Sequence, residues 1–242
     1  MISPINFIST TNFHDAWYKA IREVIRNGID ITFGSSAEPK EARDSCQIIE
    51  MTGDAIKQIA RKEIHPQYPF KLVNQYCNEF TYEYLRKYVD LPEEKKFAYL
   101  YFQRLTYYHR ESGSNQIECM RMGLKDMIES GILSNREQAI TWIPFDNDFA
   151  DTYSKTPPCL QRVWIRYCGN NLVDVHLDWR SRDLYTAWQS NIIALVYMLN
   201  REVVHPNNCK IARIIDFSDS LHIYKADLDA ANAVEPVAVW CR

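Results

Sequence analysis

Apolar residues recur along the chain with two different periods, and these periods separate predicted helices from predicted strands. The first helix is expected to begin at Asp15, a residue type that caps helix N-termini, and to stop at Gly28. Three further segments have apolar residues at helical spacing: residues 72–89, 115–130 and 187–199. Residues 30–45 are predicted to form a loop.

From residue 163 onward, apolar and polar residues alternate in the pattern of half-buried strands. Two such runs, 163–168 and 172–179, flank Gly169-Asn170-Asn171 and predict a hairpin. Further strands are predicted at 46–51, 139–144 and 212–217. Helices and antiparallel-looking strands are mixed without a regular βαβ alternation, so the predicted fold class is α+β.

Composition narrows the class of protein. The 242 residues are 46% apolar and 24% charged, and they contain no linker-like or repeated segment, so we expect one domain spanning 1–242. The net charge of -3 gives no general attraction to nucleic acid or acidic membranes. Without a membrane-length apolar run or a signal sequence, a cytoplasmic protein is expected. The 7 cysteines lack zinc-site spacing, so no metal is predicted.

The segment Thr156-Pro157-Pro158-Cys159 presents a thiol directly after two prolines. Prolines fix the backbone, and a cysteine nucleophile benefits from rigid presentation to its electrophile. Taken alone, a cysteine in such a place more often packs as a small apolar residue. Cys159 is therefore a candidate nucleophile that needs support from the rest of the chain.

Two later motifs carry groups that recognise phosphate and sugar. Arg180 and Ser181 are adjacent at a predicted strand end, where charge-assisted hydrogen bonds could hold a phosphate. His222 and Tyr224 are two residues apart, so they project to one side of an extended segment and could bind a sugar hydroxyl. Taken alone, each motif is more often a solvated charge cluster or a structural polar pair.

In this order and spacing, the three motifs together resemble the thymidylate synthase family. The matching pattern is Pro-Pro-Cys ending at Cys159, Arg-Ser-x-Asp at 180–183, Asn191, and His-x-Tyr ending at Tyr224. The similarity is greatest to short archaeal-type synthases. YLYFQRL at 99–105 resembles their YTYGxRL, and SNREQAITWIP at 134–144 resembles their SNRxxAxTWxP. The resemblance covers most of the chain.

The resemblance implies a mixed, mostly antiparallel sheet covered by helices, and a homodimer packed sheet to sheet with shared active sites. It also implies a reaction on a pyrimidine nucleoside monophosphate. The thiolate of Cys159 would add to C6 of the base, and C5 would then attack the methylene group of 5,10-methylenetetrahydrofolate or a methanopterin analogue. Hydride from the departing pterin would complete the conversion of dUMP to dTMP. No nucleic acid is required.

Roles for further residues are implied by the same resemblance. Arg180 and Ser181 would hold the 5′-phosphate, with Arg136 reaching it from the other subunit. Asn191 would read the uracil edge, because an amide offers both a donor and an acceptor. The remaining matches are Asp183 near the pterin, His222 and Tyr224 at the ribose 3′-hydroxyl, and Tyr101 in the proton-transfer network.

Two other functions are open alternatives. A hydroxymethylase acting on dUMP, dCMP or CMP would share Cys159 but quench the same intermediate with water. Asn191 favours uracil, since related enzymes that act on dCMP carry aspartate at that position. A family member that has the fold but only binds a ligand, without catalysis, is disfavoured. Such a protein would not need a nucleophile together with phosphate-binding residues.

Several positions depart from the family pattern or leave its residues unassigned. Glu79 and Glu83 are both candidates for the general base, and Arg43 is the nearest candidate for an early-loop phosphate arginine. Phe102 replaces a glycine and is expected to place a bulky ring close to the base or pterin. The segment 235–239 resembles the family's closing tail in letters, but it follows Tyr224 too closely to be assumed equivalent.

Overall fold

A computed structural model describes residues 2–35, 38–106, 115–142 and 157–237 of the chain. The residues group into two compact units, each assembled from separate stretches of sequence. The first unit contains Met1–Lys71, Trp179–Ile193 and Arg213–Arg242. The second unit contains Leu72–Asp178 and Ala194–Ala212.

In the described residues, strands and helices alternate irregularly. The strands are β1 (Ile5–Thr10), β2 (Ile29–Ser35), β3 (Glu38–Thr52), β4 (Gln138–Ile140), β5 (Leu160–Tyr167), β6 (Leu172–Trp179), β7 (Arg182–Asp183) and β8 (Lys210–Tyr224). The helices are α1 (Phe13–Asn27), α2 (Asp54–Ala60), α3 (Val73–Asn78), α4 (Tyr82–Val89), α5 (Tyr101–Thr106), α6 (Gln116–Ser130), α7 (Trp188–Leu199) and α8 (Leu228–Asn232). None of these helices is long and apolar enough to cross a membrane.

The first unit is built around the long strand β3. Strand β1 pairs with β3 in parallel, whereas β2 and β8 pair with it antiparallel. The short strand β7 pairs with β8 in parallel. The strands are therefore mixed in direction, which confirms the predicted α+β class. Helix α1 packs on β3 and buries a continuous apolar stripe: Phe13, Ala16, Trp17, Ala20, Ile21 and Val24.

Two predictions for the first unit were wrong in detail. Residues 30–35 and 38–45 lie in the antiparallel pair β2 and β3 rather than in a loop, with Ile29 opposite Asp44 and Ser35 opposite Glu38. The alternation of apolar and polar residues in β2 is short, and the charged stretch of β3 concealed the second strand. Helix α1 is capped by Asn12, whose side chain accepts from the backbone N–H of Asp15 at 2.9 Å.

The second unit contains the predicted hairpin. Strands β4, β5 and β6 are neighbours in that order, and β4 pairs antiparallel with β5. Gly169, Asn170 and Asn171 connect β5 to β6 with φ angles of 83°, 51° and 58°. Glycine and asparagine tolerate this left-handed conformation better than other residues, which explains the turn at this position.

Helices of the second unit follow the predicted periodicity with one break. Helix α6 begins after Asn115, whose side chain accepts from a backbone N–H of the first turn, and ends at Gly131 with φ 70°. The predicted helix over 72–89 is two helices, α3 and α4. Thr81 interrupts it, because its side chain accepts from the N–H of Tyr84 at 3.1 Å and starts a new helix.

Candidate active site

In the second unit, Cys159 lies between two prolines and the start of β5. It follows Pro157 and Pro158 and is half-buried. The first residue of β5, Leu160, accepts a hydrogen bond at its carbonyl from the Thr141 hydroxyl. These constraints on both sides hold the thiol at a fixed place, as a nucleophile requires.

Two tyrosine side chains lie beside Cys159. The hydroxyls of Tyr99 and Tyr101 are 3.4 Å apart, and their ring centroids are 5.2 Å apart. The Tyr99 hydroxyl forms hydrogen bonds with both the backbone and the side chain of Cys159. Burial, followed by the charge of Cys159, raises the pKa of Tyr99. Burial and the neighbouring charges of Tyr99 and Cys159 raise the pKa of Tyr101. Both phenols therefore stay protonated near neutral pH and can donate hydrogen bonds.

The two candidate base glutamates have different environments. Glu79 follows α3 and is half-buried, and burial raises the pKa of its carboxyl. Glu83 is exposed on α4, and its hydrogen bond to Lys87, 2.7 Å long, lowers the pKa of its carboxyl. A general base that must also return its proton works best with a pKa nearer neutrality. Glu79 therefore fits this role better than Glu83.

Phe102 replaces the glycine of the family motif. Its ring is fully buried and packs in the interior of the second unit, at 5.1 Å from the Tyr82 ring and 6.5 Å from the Phe80 ring. The ring therefore belongs to the core of the second unit, and its expected closeness to the base or pterin stays a prediction. The sequence shows only that a glycine is replaced, and the packing partners that draw the ring inward are distant in sequence from the motif.

Arg136 lies on an exposed segment after α6. Its backbone N–H donates to the Ser134 hydroxyl at 3.2 Å, and the carbonyl of Asn135 accepts from the Trp164 indole at 3.0 Å. The backbone of this segment is therefore anchored while the Arg136 side chain is exposed.

The remaining predicted site residues lie in the first unit. Arg180 and Ser181 connect β6 to β7 and are half-buried. The next residue, Arg182, is fully buried and forms an ion pair with Asp216 on β8. The pair was not predicted, because the two residues are 34 positions apart and no local sequence pattern relates them.

Asp183 organises the turn that follows β7. Its carboxylate accepts from the backbone N–H of Tyr185 at 2.9 Å and of Thr186 at 3.0 Å, and also from the Thr186 hydroxyl. A carboxylate can accept about four hydrogen bonds. Asp183 therefore has capacity for one further donor besides these three.

Asn191 is buried in the first turns of α7, and its neighbours hold that part of the helix in place. The side chain of Gln189 accepts from the backbone N–H of His65 at 2.9 Å. The backbone N–H of Ser190 donates to the Tyr68 hydroxyl at 3.2 Å. Fixing the helix on both sides of Asn191 limits the positions its amide can take.

His222 and Tyr224 are neighbours at the end of β8, as their spacing predicts. Their ring centroids are 5.0 Å apart, and the Phe33 ring lies 5.1 Å from His222. His222 is buried, and burial lowers its pKa, so the imidazole is neutral near pH 7. Its Nδ1 lies 3.5 Å from the Ser220 hydroxyl, whereas its buried Nε2 has no hydrogen-bond partner among the described residues.

Arg43 was the nearest candidate for the early-loop phosphate arginine, and its observed contacts assign it another role. Its Nε donates to the carbonyls of Val24 and Ile25 at 3.1 and 3.0 Å, at the end of α1. Its Nη1 pairs with Asp30 at 2.9 Å. The guanidinium therefore caps the C-terminus of α1, where a positive charge stabilises the helix dipole.

Comparisons with known proteins relate the whole chain to one group. A protein of Methanothermobacter marburgensis provisionally named thymidylate synthase is 26% identical over 94% of this chain and 96% of its own. A protein of Methanothermobacter thermautotrophicus with the same name is 26% identical over 94% and 97%. The solved structure of thermostable thymidylate synthase A from Bacillus subtilis has the same fold, with a TM-score of 0.60 at 17% identity over 92% of this chain and 83% of the other. No family model matches the chain.

The chain is similar to thymidylate synthases in sequence and in fold. The likeness extends over nearly the full length of the chain and of its Methanothermobacter relatives. The thymidylate synthase-like motifs therefore belong to one continuous match rather than to isolated segments. Cys159 and Tyr101 lie in the second unit, and Asn191 and His222 lie in the first.

Proposed function

We propose that the protein transfers a one-carbon unit to C5 of a pyrimidine nucleotide, and that its reaction is the reductive methylation of dUMP to dTMP. The observation that carries the proposal is the pair of tyrosine hydroxyls at Cys159: Tyr99 forms hydrogen bonds with Cys159, and the Tyr101 hydroxyl lies 3.4 Å from the Tyr99 hydroxyl. A structural cysteine has no need of buried phenols beside its sulfur. A nucleophile that adds to C6 of a base uses them to control proton positions.

Recognition of the nucleotide is assigned to the first unit. Arg180 and Ser181 bind the 5′-phosphate through charge-assisted hydrogen bonds. His222 offers its buried Nε2 to a ribose hydroxyl, which would satisfy an atom that has no partner in the described structure. Asn191 pairs with O4 and N3–H of uracil, and the fixed start of α7 makes this reading selective.

A reduced pterin such as 5,10-methylenetetrahydrofolate would supply the one-carbon unit and the hydride. Asp183 suits such a group, because its carboxylate is held by the turn after β7 and can accept one further N–H. The carboxylate would orient the pterin ring. The chemistry at the base falls to Cys159, which attacks C6, and to Glu79, which accepts and returns a proton.

A homodimer belongs to the same proposal, with Arg136 of each subunit reaching the phosphate bound by its partner. The exposed Arg136 is available for such a contact. On β1, Ile5 and Phe7 lie on one face and are 74% and 65% exposed. An apolar face of this kind is covered in a sheet-to-sheet dimer. Sedimentation velocity should therefore give the mass of two chains.

The deciding experiment is turnover with dUMP tritiated at C5, run beside tritiated dCMP and CMP, with methylenetetrahydrofolate. Tritium release together with a rise in absorbance at 340 nm from dihydrofolate is the result expected of the synthase. Release without that rise would identify a hydroxymethylase and overturn the methylation step. No release from any of the three nucleotides would overturn the whole proposal.

A further inference from the structure

The family resemblance assigns no role to one residue of the Tyr-Leu-Tyr motif. Tyr101 matches the family's catalytic tyrosine, but Tyr99 is the residue that forms hydrogen bonds with both the backbone and the side chain of Cys159. The Tyr99 hydroxyl also lies 3.4 Å from the Tyr101 hydroxyl. Tyr99 therefore lies between the nucleophile and the second phenol.

The Tyr99 ring is held from its other side. The guanidinium of Arg104 lies 5.8 Å from the centre of the Tyr99 ring, within the range of a cation–π contact. Arg104 is itself fixed, because its Nη1 donates to the carbonyl of Thr141 at 3.1 Å. Thr141 in turn donates to the carbonyl of Leu160, the residue after Cys159. The phenol and the nucleophile are thus tied to the same short segment of backbone.

We propose that Tyr99 is a second catalytic tyrosine, which donates its O–H to the sulfur of Cys159 and stabilises the thiolate that attacks the base. The proposal rests on the function proposed above. The phenol keeps its proton throughout. As the bond from sulfur to C6 forms, the negative charge leaves the sulfur for the base, and the O–H of Tyr99 is freed to turn to Tyr101.

Burial supports the role of donor rather than base. It raises the pKa of Tyr99, so the phenol is protonated at the pH at which the enzyme would work. A hydrogen bond to a charged partner is about twice as strong as one between neutral groups. Removing the donor should therefore affect the thiolate far more than the neutral thiol.

The first test is alkylation of the unliganded protein with iodoacetamide, followed by mass spectrometry of the peptide spanning residues 156–162. In Tyr99→Phe, we expect Cys159 to react about three to ten times more slowly at pH 7. The exposed thiols Cys119 and Cys168 serve as internal references, since their rates should not change.

The second test is turnover. Tyr99→Phe should lower kcat by about tenfold to a hundredfold, with KM for dUMP changed by less than about threefold, because the lost bond acts on the attacking group. Tyr167→Phe is the matched control, because that hydroxyl accepts from the backbone N–H of Asn171 at the β5–β6 turn. The control should leave kcat and Cys159 alkylation unchanged.

The outcomes separate this proposal from the one it rests on. Unchanged alkylation of Cys159 in a folded Tyr99→Phe protein would overturn the role of Tyr99, whatever the turnover. The wild-type protein could instead turn over none of the three nucleotides, while Tyr99→Phe still slows the alkylation of Cys159. That result would overturn the proposed function and leave the role of Tyr99 at the thiol standing. If Tyr99→Phe does not fold, 3-fluorotyrosine at this position keeps the shape and is a stronger donor. Cys159 should then react faster, and an unchanged rate would overturn the proposal.

Discussion

Arg182 and Asp216 form an ion pair from which solvent is excluded, with side chains 2% and 0% exposed. The guanidinium also lies 4.2 Å from the centre of the Trp179 ring, and the Trp188 indole donates to the same Asp216 oxygen at 2.9 Å. Asp216 therefore joins the end of β6, strand β7 and the start of α7 to β8. Because Arg182 directly follows Arg180 and Ser181, the ion pair also restrains the backbone of these two proposed phosphate-binding residues.

Breaking this ion pair should destabilise the protein strongly. Asp216→Leu leaves the Arg182 charge buried without its counter-ion, and we expect a loss of about 3–5 kcal/mol in the free energy of unfolding. The double variant Arg182→Met/Asp216→Leu removes both charges and should be more stable than the single one. Urea unfolding measures both. The exposed pair of Glu83 with Lys87 is the control, since Glu83→Gln should leave the urea midpoint almost unchanged. A single variant as stable as this control would refute the assigned importance of the pair.

Glu79→Gln should reduce turnover far more than Glu83→Gln. Glu79 is half-buried with a raised carboxyl pKa, and losing a general base typically costs about a hundredfold or more in kcat. Glu83 is exposed and bound to Lys87, so its replacement should leave kcat within about twofold. Steady-state kinetics of the two variants gives the comparison. Equal losses, or a larger loss for Glu83→Gln, would reject Glu79 as the base.

Local patterns predicted much of the fold because they depend on neighbours in sequence. The periodicity of α6 and the Gly131 stop were confirmed, as was β6 over Leu172–Trp179. The break between α3 and α4 was missed, because the apolar spacing continues through Thr81 while its side chain caps a new helix. The apolar stripe reports which face is buried, and it does not report where the backbone bonds stop.

Only part of the candidate site could be predicted from the sequence. Motifs identified Cys159 and Tyr101, and the structure places them together, while their chemical roles stay predictions. The part played by Tyr99 and the ion pair of Arg182 with Asp216 depend on contacts between distant segments. Residue type and spacing carry no information on such contacts, so these features emerge only from the folded chain.

Replacing the nucleophile should separate chemistry from binding. Cys159→Ala should abolish tritium release from dUMP, because the proposed addition to C6 requires the thiolate of Cys159. Binding of dUMP should change by less than about threefold, since the assigned phosphate and sugar contacts are Arg180, Ser181 and His222. Calorimetric titration of the inactive variant measures the affinity. Residual turnover above about one per cent would rule out Cys159 as the nucleophile.

Asn191→Asp should shift substrate preference from uracil toward cytosine nucleotides. A carboxylate accepts hydrogen bonds only, so it suits the amino group of cytosine and repels O4 of uracil. We expect the ratio of kcat/KM for dUMP over dCMP to fall by about a hundredfold or more, the scale of a lost polar match in a buried site. If the variant is folded and the ratio is unchanged, other groups read the base.

Stability should fall in acid because of His65, which holds the C-terminal segment. Its Nε2 donates to the carbonyl of Glu235 at 3.0 Å, and its Nδ1 accepts from the N–H of Gln67 at 3.1 Å, so the neutral ring is fully bonded. Burial and the neighbouring His14 lower its pKa from 6.5 to about 4. The unfolded chain therefore binds a proton more readily between these pH values. The contribution of the neutral His65 ring to the free energy of unfolding is fully present above about pH 6.5. It should decline by up to about 3 kcal/mol as the pH falls to about 4.

Urea unfolding at a series of pH values isolates this contribution. The variant His65→Gln should take up about one proton fewer on unfolding between pH 6.5 and 4, so its stability should depend less on pH than that of the wild type. A residual slope is expected, because burial also lowers the pKa of His14 and of His222. His205 is exposed after α7, and His205→Gln is the matched control for the substitution itself. Equal slopes for the two variants would mean that protonation of His65 does not couple to folding, and the bonds to Glu235 and Gln67 would then have to survive in the charged state.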